Sequence, residues 1–70
     1  MNKPKFKFPF GSLVAKRKGD YMFFGTIISQ FIKQSGAVRY VVENRAGILH
    51  IFNEGQLSSW NGEEEIERDE

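Results

Sequence analysis

Apolar and polar positions along this chain alternate in short runs, and no run longer than a turn repeats with the helical period of about 3.6 residues. The period-two runs are rich in β-branched and aromatic residues. Polar breaks, most of them carrying glycine, separate these runs, which is the pattern of strands joined by turns. Leu13 to Arg17 (LVAKR) is the first expected strand, closed by a polar turn at Lys18-Gly19-Asp20. The next run, Tyr21 to Gln34 (YMFFGTIISQFIKQ), is too long for a flat strand, and Gly25 is the natural place for a bend or bulge. Ser35-Gly36 turns the chain into a third strand, Ala37 to Asn44 (AVRYVVEN). Arg45-Ala46-Gly47 then forms a hairpin loop, with glycine where a positive φ is tolerated. Ile48 to Phe52 (ILHIF) is the fourth strand and Asn53 to Gln56 (NEGQ) one helical turn. Leu57 to Trp60 (LSSW) makes a fifth strand or a docking segment.

Five short strands with tight turns predict an all-β domain, a small five-stranded SH3-like barrel, without internal repeats or a domain boundary. Alternation assigns the faces. In the fourth strand Ile48, His50 and Phe52 share one side, and Leu49 and Ile51 share the other. In the second, Gly25, Ile27, Ser29 and Phe31 oppose Thr26, Ile28, Gln30 and Ile32. Both faces of both strands are largely apolar, whereas a sheet with one wet face carries polar residues there. The pattern therefore predicts that outer surface is covered by another copy of the chain.

Size sharpens that expectation. Seventy residues lie near the lower limit for independent folding. Scaffolds this small usually need a staple. The chain has no cysteine, which excludes disulfides and thiolate metal sites, and its single histidine builds no metal site within one chain. Oligomerisation is the staple left. Residues 1–8 (MNKPKFKF) read as a basic tail, 9–60 as the packed domain and 61–70 (NGEEEIERDE) as an acidic disordered tail. The formal net charge of +1 thus hides a basic domain beside an acidic end, and a basic domain suits an anionic partner. The absence of cysteine fits a cytoplasmic protein. No signal-peptide pattern opens the chain, and no run approaches the ~20 apolar residues of a membrane helix.

Few chemistries remain. There is no Ser/His/Asp set in a recognisable context, no phosphate-binding glycine loop, and no carboxylate pair for acid–base work in the domain, which holds only Asp20, Glu43 and Glu54. An enzyme built from these residues would bind and orient two reactants and let a cofactor supply the chemistry. Lys16-Arg17-Lys18 is a compact basic cluster that can hold phosphates or carboxylates, or can simply end a strand in solvent. Lysine and phenylalanine interleave in KFKFPF, near Tyr21, Phe23 and Phe24. These residues supply either a stacking platform for single-stranded nucleic acid or aromatics for the core. His50, alone in an apolar strand, is by default a core histidine with one satisfied hydrogen bond. Trp60 closes the barrel end.

FGSLVAKRKG at 10–19, GTIISQF at 25–31, YVVEN at 40–44 and GILHIF at 47–52 together resemble the plasmid-borne type II dihydrofolate reductases. These are small SH3-like enzymes linked to trimethoprim resistance. The resemblance covers about two-thirds of the chain, with one residue more in the loop after the first strand and a shorter loop before Gly47. It implies a homotetramer around one central pore in which NADPH and dihydrofolate stack and hydride passes between them. Leu49, His50, Ile51 and Phe52 stand where that family keeps Val-Gln-Ile-Tyr in its pore wall, so they become candidate ligand-binding residues. Ile51 would offer its backbone to the cofactor carboxamide. Lys16 matches the pore lysine that attracts the ligands' negative tails, and Phe23 stands at the family's interface tryptophan. None of these residues is a general acid or base. His50 keeps one donor and one acceptor in a different shape from glutamine. Phe52 deletes a hydroxyl, and a site missing such partners loses on the order of 1–3 kcal/mol for each unpaired buried group. Two other readings stand beside the reductase: a non-catalytic SH3-like module that binds nucleic acid or protein through its basic, aromatic N-terminal surface, and a structural oligomer without a small ligand.

Overall fold

The computed structural model describes residues 6–63 of the chain. The chain folds into five antiparallel strands: β1 (Leu13–Lys16), β2 (Phe23–Ile32), β3 (Val38–Glu43), β4 (Leu49–Phe52) and β5 (Ser58–Ser59). One 3-10 turn, Glu54–Gln56, precedes β5. The strands form a single sheet in the order β4-β3-β2-β1-β5, so β4 and β5 are its edges. The all-β class expected from the alternation is what forms. Among the described residues no helix is long and apolar enough to cross a membrane.

Local chemistry fixes the turns. Asn44 accepts from the N–H groups of Ala46 and Ile48 through Oδ1, at 3.0 and 2.9 Å, while Gly47 takes a φ of +82°. Only glycine adopts that conformation without strain. Asn53 caps the 3-10 turn by accepting from Gln56 N–H, and Gln56 Oε1 accepts from Asn53 N–H in return, the reciprocal pairing of a capping box.

One face of the sheet curls around the core. Val14, Ile27, Tyr40 and Val42 are wholly buried, with Phe8, Phe23, Phe52 and Leu57 nearly so. Two devices bend β2. At Gly25 the missing side chain lets β3 lie across β2, because a Cβ there would come within 2.2 Å of the Glu43 carbonyl oxygen. The bulge lies further on, between Ile27 and Ser29. Sequence alternation assigned one bend at Gly25 and kept a single phase through the strand. The bulge breaks that phase. Beyond it Gln30 pairs with Tyr40 on the inner face, while Ser29 and Phe31 pair with Val41 and Arg39 on the outer one. The extra residue shifts every later side chain to the other side.

The N-terminal aromatics follow the core reading rather than the tail reading. Phe6 and Phe8 set their rings edge-on against Tyr40, at centroid distances of 6.1 and 5.7 Å. Phe8 N–H donates to the Tyr40 hydroxyl at 3.2 Å, and Gln30 Nε2 donates to the Phe8 carbonyl at 2.9 Å. Phe8 thus belongs to the core and Phe6 packs against it, rather than alternating with lysines in solvent. The rest of the basic tail, and all of the acidic tail beyond Glu63, lies outside the described residues.

Candidate ligand-binding end of the sheet

Two residues along β4 from the Phe52–Tyr40 pair, the loop after β1 meets His50. Lys16 ends β1 opposite Phe23 and is only 6% exposed. A buried lysine is costly unless its ammonium is paired. Here Nζ donates to the carbonyls of Lys18 and Tyr21, the latter at 2.8 Å, and lies 4.0 Å from the centroid of the Tyr21 ring. The loop wraps closely enough that a Cβ on Gly19, whose φ is +96°, would sit 2.8 Å from Nζ. Two of the three ammonium donors are thus spent on the loop itself. Sequence reasoning made Lys16 a free point charge. In this chain it is the anchor of the β1–β2 loop, and the exposed cations beside it are Arg17 and Lys18.

That anchored loop delivers Tyr21. Its hydroxyl lies 3.1 Å from Nδ1 of His50, and the two rings meet edge to face at 5.5 Å. His50, half-buried on β4, stacks flat on Phe23, with centroids 4.4 Å apart and an interplanar angle of 8°. Phe23 in turn packs on Phe52 at 5.5 Å, and Phe52 on His50 at 5.9 Å. Lys16, Tyr21, Phe23, His50 and Phe52 therefore form one continuous cluster that ties the β4 edge to the loop before β2.

The residues predicted to bind ligand divide between two faces. Lys16, His50 and Phe52 share the inner cluster, while Leu49 and Ile51 point outward from β4 and are 51% and 59% exposed. Phe52 does not line an open wall. It is 2% exposed, pairs with Tyr40 and belongs to the core, where a ring without a hydroxyl needs no polar partner. Phe23, expected at a subunit interface, is likewise buried within its own chain, because its ring fills the space between His50 and Phe52. Tyr21 carries the site's only described hydroxyl contact to His50, and sequence reasoning missed that role. The two residues are 29 positions apart, so no local signal links them.

A second concavity lies on the outer face. A groove of about 280 Å³ is lined by Met22, Phe24, Asn44, Arg45 and Trp60. Trp60, read as a packing residue that closes the barrel end, packs on Phe24 at 5.2 Å, with its indole N–H donating to the Glu63 carbonyl at 2.8 Å. The Arg17 guanidinium sits 5.6 Å from the Phe24 ring and donates to Ser58 Oγ at 2.8 Å.

The donor set decides which groups fit. Among the described residues there is no cluster of three or more metal-ligating side chains. The half-exposed Tyr21 and His50 rings and the exposed Lys18 lie at this end of the sheet. No protein-family model and no curated protein matches this chain.

Proposed function

We propose that this chain is a small β-domain of the type II dihydrofolate reductase kind, which assembles as a homotetramer and binds NADPH and dihydrofolate at the His50 end of the sheet. The observation that carries the reading is the joining of Lys16, His50 and Phe23, three positions matched to that family, in one cluster with aromatic walls. Two findings support assembly. Leu49 and Ile51 expose apolar surface on the outer face of an edge strand, and Ile28 and Phe31 add to the exposed apolar area on β2. Apolar side chains exposed on neighbouring strands suit a contact surface where they form one patch.

In this reading bound NADPH would supply the hydride, and solvent the proton, that reduce the C=N bond of dihydrofolate. The protein's part is positional. The ring pair of Tyr21 and His50 gives one planar wall and the hydrogen bonds that orient a ligand ring. The edge backbone at Ile51 is open to a carboxamide on the side where β3 is absent. Lys18, exposed in the loop that also carries Tyr21, holds the phosphates, while Lys16 keeps that loop in place. The SH3-like closure of the sheet, a cytoplasmic setting and indifference to trimethoprim belong to the same reading.

Sedimentation at neutral pH together with NADPH oxidation is the test. A tetramer that oxidises NADPH only with dihydrofolate present, at a rate unaffected by trimethoprim, supports the proposal, and a monomer without such turnover refutes it. The alternative module for nucleic acid has its own supporting feature, the Trp60–Phe24 groove with Arg17 and Arg45 beside it, which pairs stacking surface with positive charge. Of the N-terminal aromatics, Phe8 is buried and Phe6 partly so, while Phe10 stays 66% exposed. Salt-dependent binding of single-stranded DNA, lost in Trp60→Ala, would favour the module.

A further inference from the structure

The hydrogen bond between Tyr21 and His50 has a chemical direction. A phenol O–H is a good donor, and this one belongs to a ring with the Lys16 ammonium 4.0 Å from its centroid. A cation against the ring draws electron density from it and makes the hydroxyl a better donor still. Lys16 is itself held there by the carbonyls of Lys18 and Tyr21. If the hydroxyl donates, Nδ1 of the neutral imidazole must accept, and the ring proton must sit on Nε2. Flat stacking on Phe23 at 4.4 Å fixes the plane of the ring as well. Among the described residues no hydrogen bond reaches Nε2. The charged or titratable groups set against this imidazole are Tyr21 and, behind its ring, Lys16.

We infer that Tyr21 is a positioning residue that holds His50 in its Nε2–H form, so that β4 presents one oriented donor to an acceptor atom of a planar ligand at this end of the sheet. The ligand class is a flat heterocycle or carboxamide with a carbonyl oxygen or ring nitrogen in its plane, and here the inference rests on the proposed reductase function. A glutamine offers a donor and an acceptor from one freely turning amide. The Tyr21–His50 pair spends the acceptor internally and leaves only the donor, so selectivity narrows to ligands that accept. Protonation of the imidazole makes Nδ1 a donor as well, which reverses the direction of its bond to the hydroxyl.

Nitrogen-15 NMR of the full chain, about two pH units above the ordinary histidine value of ~6.5, tests the assignment directly. The expected spectrum shows His50 with an unprotonated Nδ1 and a protonated Nε2, and Tyr21→Phe, which preserves the ring and its packing, shows a mixture of the two neutral forms. A protonated Nδ1 in the natural chain, or identical spectra for the two proteins, overturns the inference. Titration with NADPH gives the second reading. Its affinity should fall by about three- to tenfold in Tyr21→Phe, the worth of one neutral hydrogen bond. Unchanged affinity with an altered tautomer overturns the positioning role alone. A retained Nε2–H form whose signal ignores both NADPH and dihydrofolate overturns the ligand class and the reductase reading with it.

Discussion

The molecule has two tyrosines, set along one continuous row of side chains that runs Phe8, Tyr40, Phe52, Phe23, His50, Tyr21, and their surroundings are opposites. Tyr40 is wholly buried, edge-on to Phe6 and Phe8, and its hydroxyl accepts the Phe8 N–H. Tyr21 is 44% exposed, lies against a buried ammonium, and shares a hydrogen bond with a half-buried imidazole. At the first end each polar group is paired inside an apolar wall, so the arrangement holds structure. At the second, polar groups are paired in a chain that stops at an unpartnered ring nitrogen, so the arrangement is left with something to offer. In the proposed function stability and recognition divide between these two ends, and substitutions there should behave differently.

The strongest way to test that separation is to remove the Tyr40 ring. Tyr40→Ala takes away a fully buried aromatic and should cost about 3–5 kcal/mol in urea unfolding, enough to unfold a domain of this size. Tyr40→Phe keeps the ring and strips the acceptor from Phe8 N–H, with an expected loss of about 2 kcal/mol. A cost near zero would mean that water replaces the hydroxyl and that this end is more open than it looks. Lys16→Met keeps the stem and removes the loop anchor. The loss should be about 1 kcal/mol by thermal melting, since the released carbonyls regain solvent while the cost of burying a charge disappears. Tyr21→Phe should change stability least, by no more than about 0.5 kcal/mol, because its hydroxyl is exposed. If Tyr21→Phe proved as damaging as Tyr40→Phe, the two ends would be alike and the division of labour would be lost.

How much of this was legible beforehand differs between the two ends for physical reasons. The strands were readable because Val41, Val42, Ile27 and Ile51 sit in period-two runs bounded by Gly36 and Gly47. The phase of β2 beyond Ile28 was not, since a bulge leaves alternation intact on either side and only the pairing with β3 reveals the slip. Phe6 and Phe8 looked like a tail because lysines flank them, yet two aromatic rings contribute more by burial than their lysine neighbours lose by staying in water. His50 was legible as the one polar residue in an apolar strand. Its partner was not, because the bond to Tyr21 depends on how the β1–β2 loop folds around Lys16. The burial of Lys16 itself runs against the usual habit of lysine. Phe52 carried a readable clue that pointed elsewhere: a ring without a hydroxyl, at a position where the resembling family has one, suits a core better than a pore wall.

The most direct measurement pairs the two conservative variants, Tyr40→Phe and Tyr21→Phe, and reads both unfolding stability and NADPH affinity for each. The account predicts a crossed pattern. Tyr40→Phe should lose stability while binding NADPH as the natural chain does, and Tyr21→Phe should keep its stability while binding about three- to tenfold more weakly. Two variants that lose stability and affinity together, or a Tyr21→Phe chain whose affinity is unchanged, would contradict it.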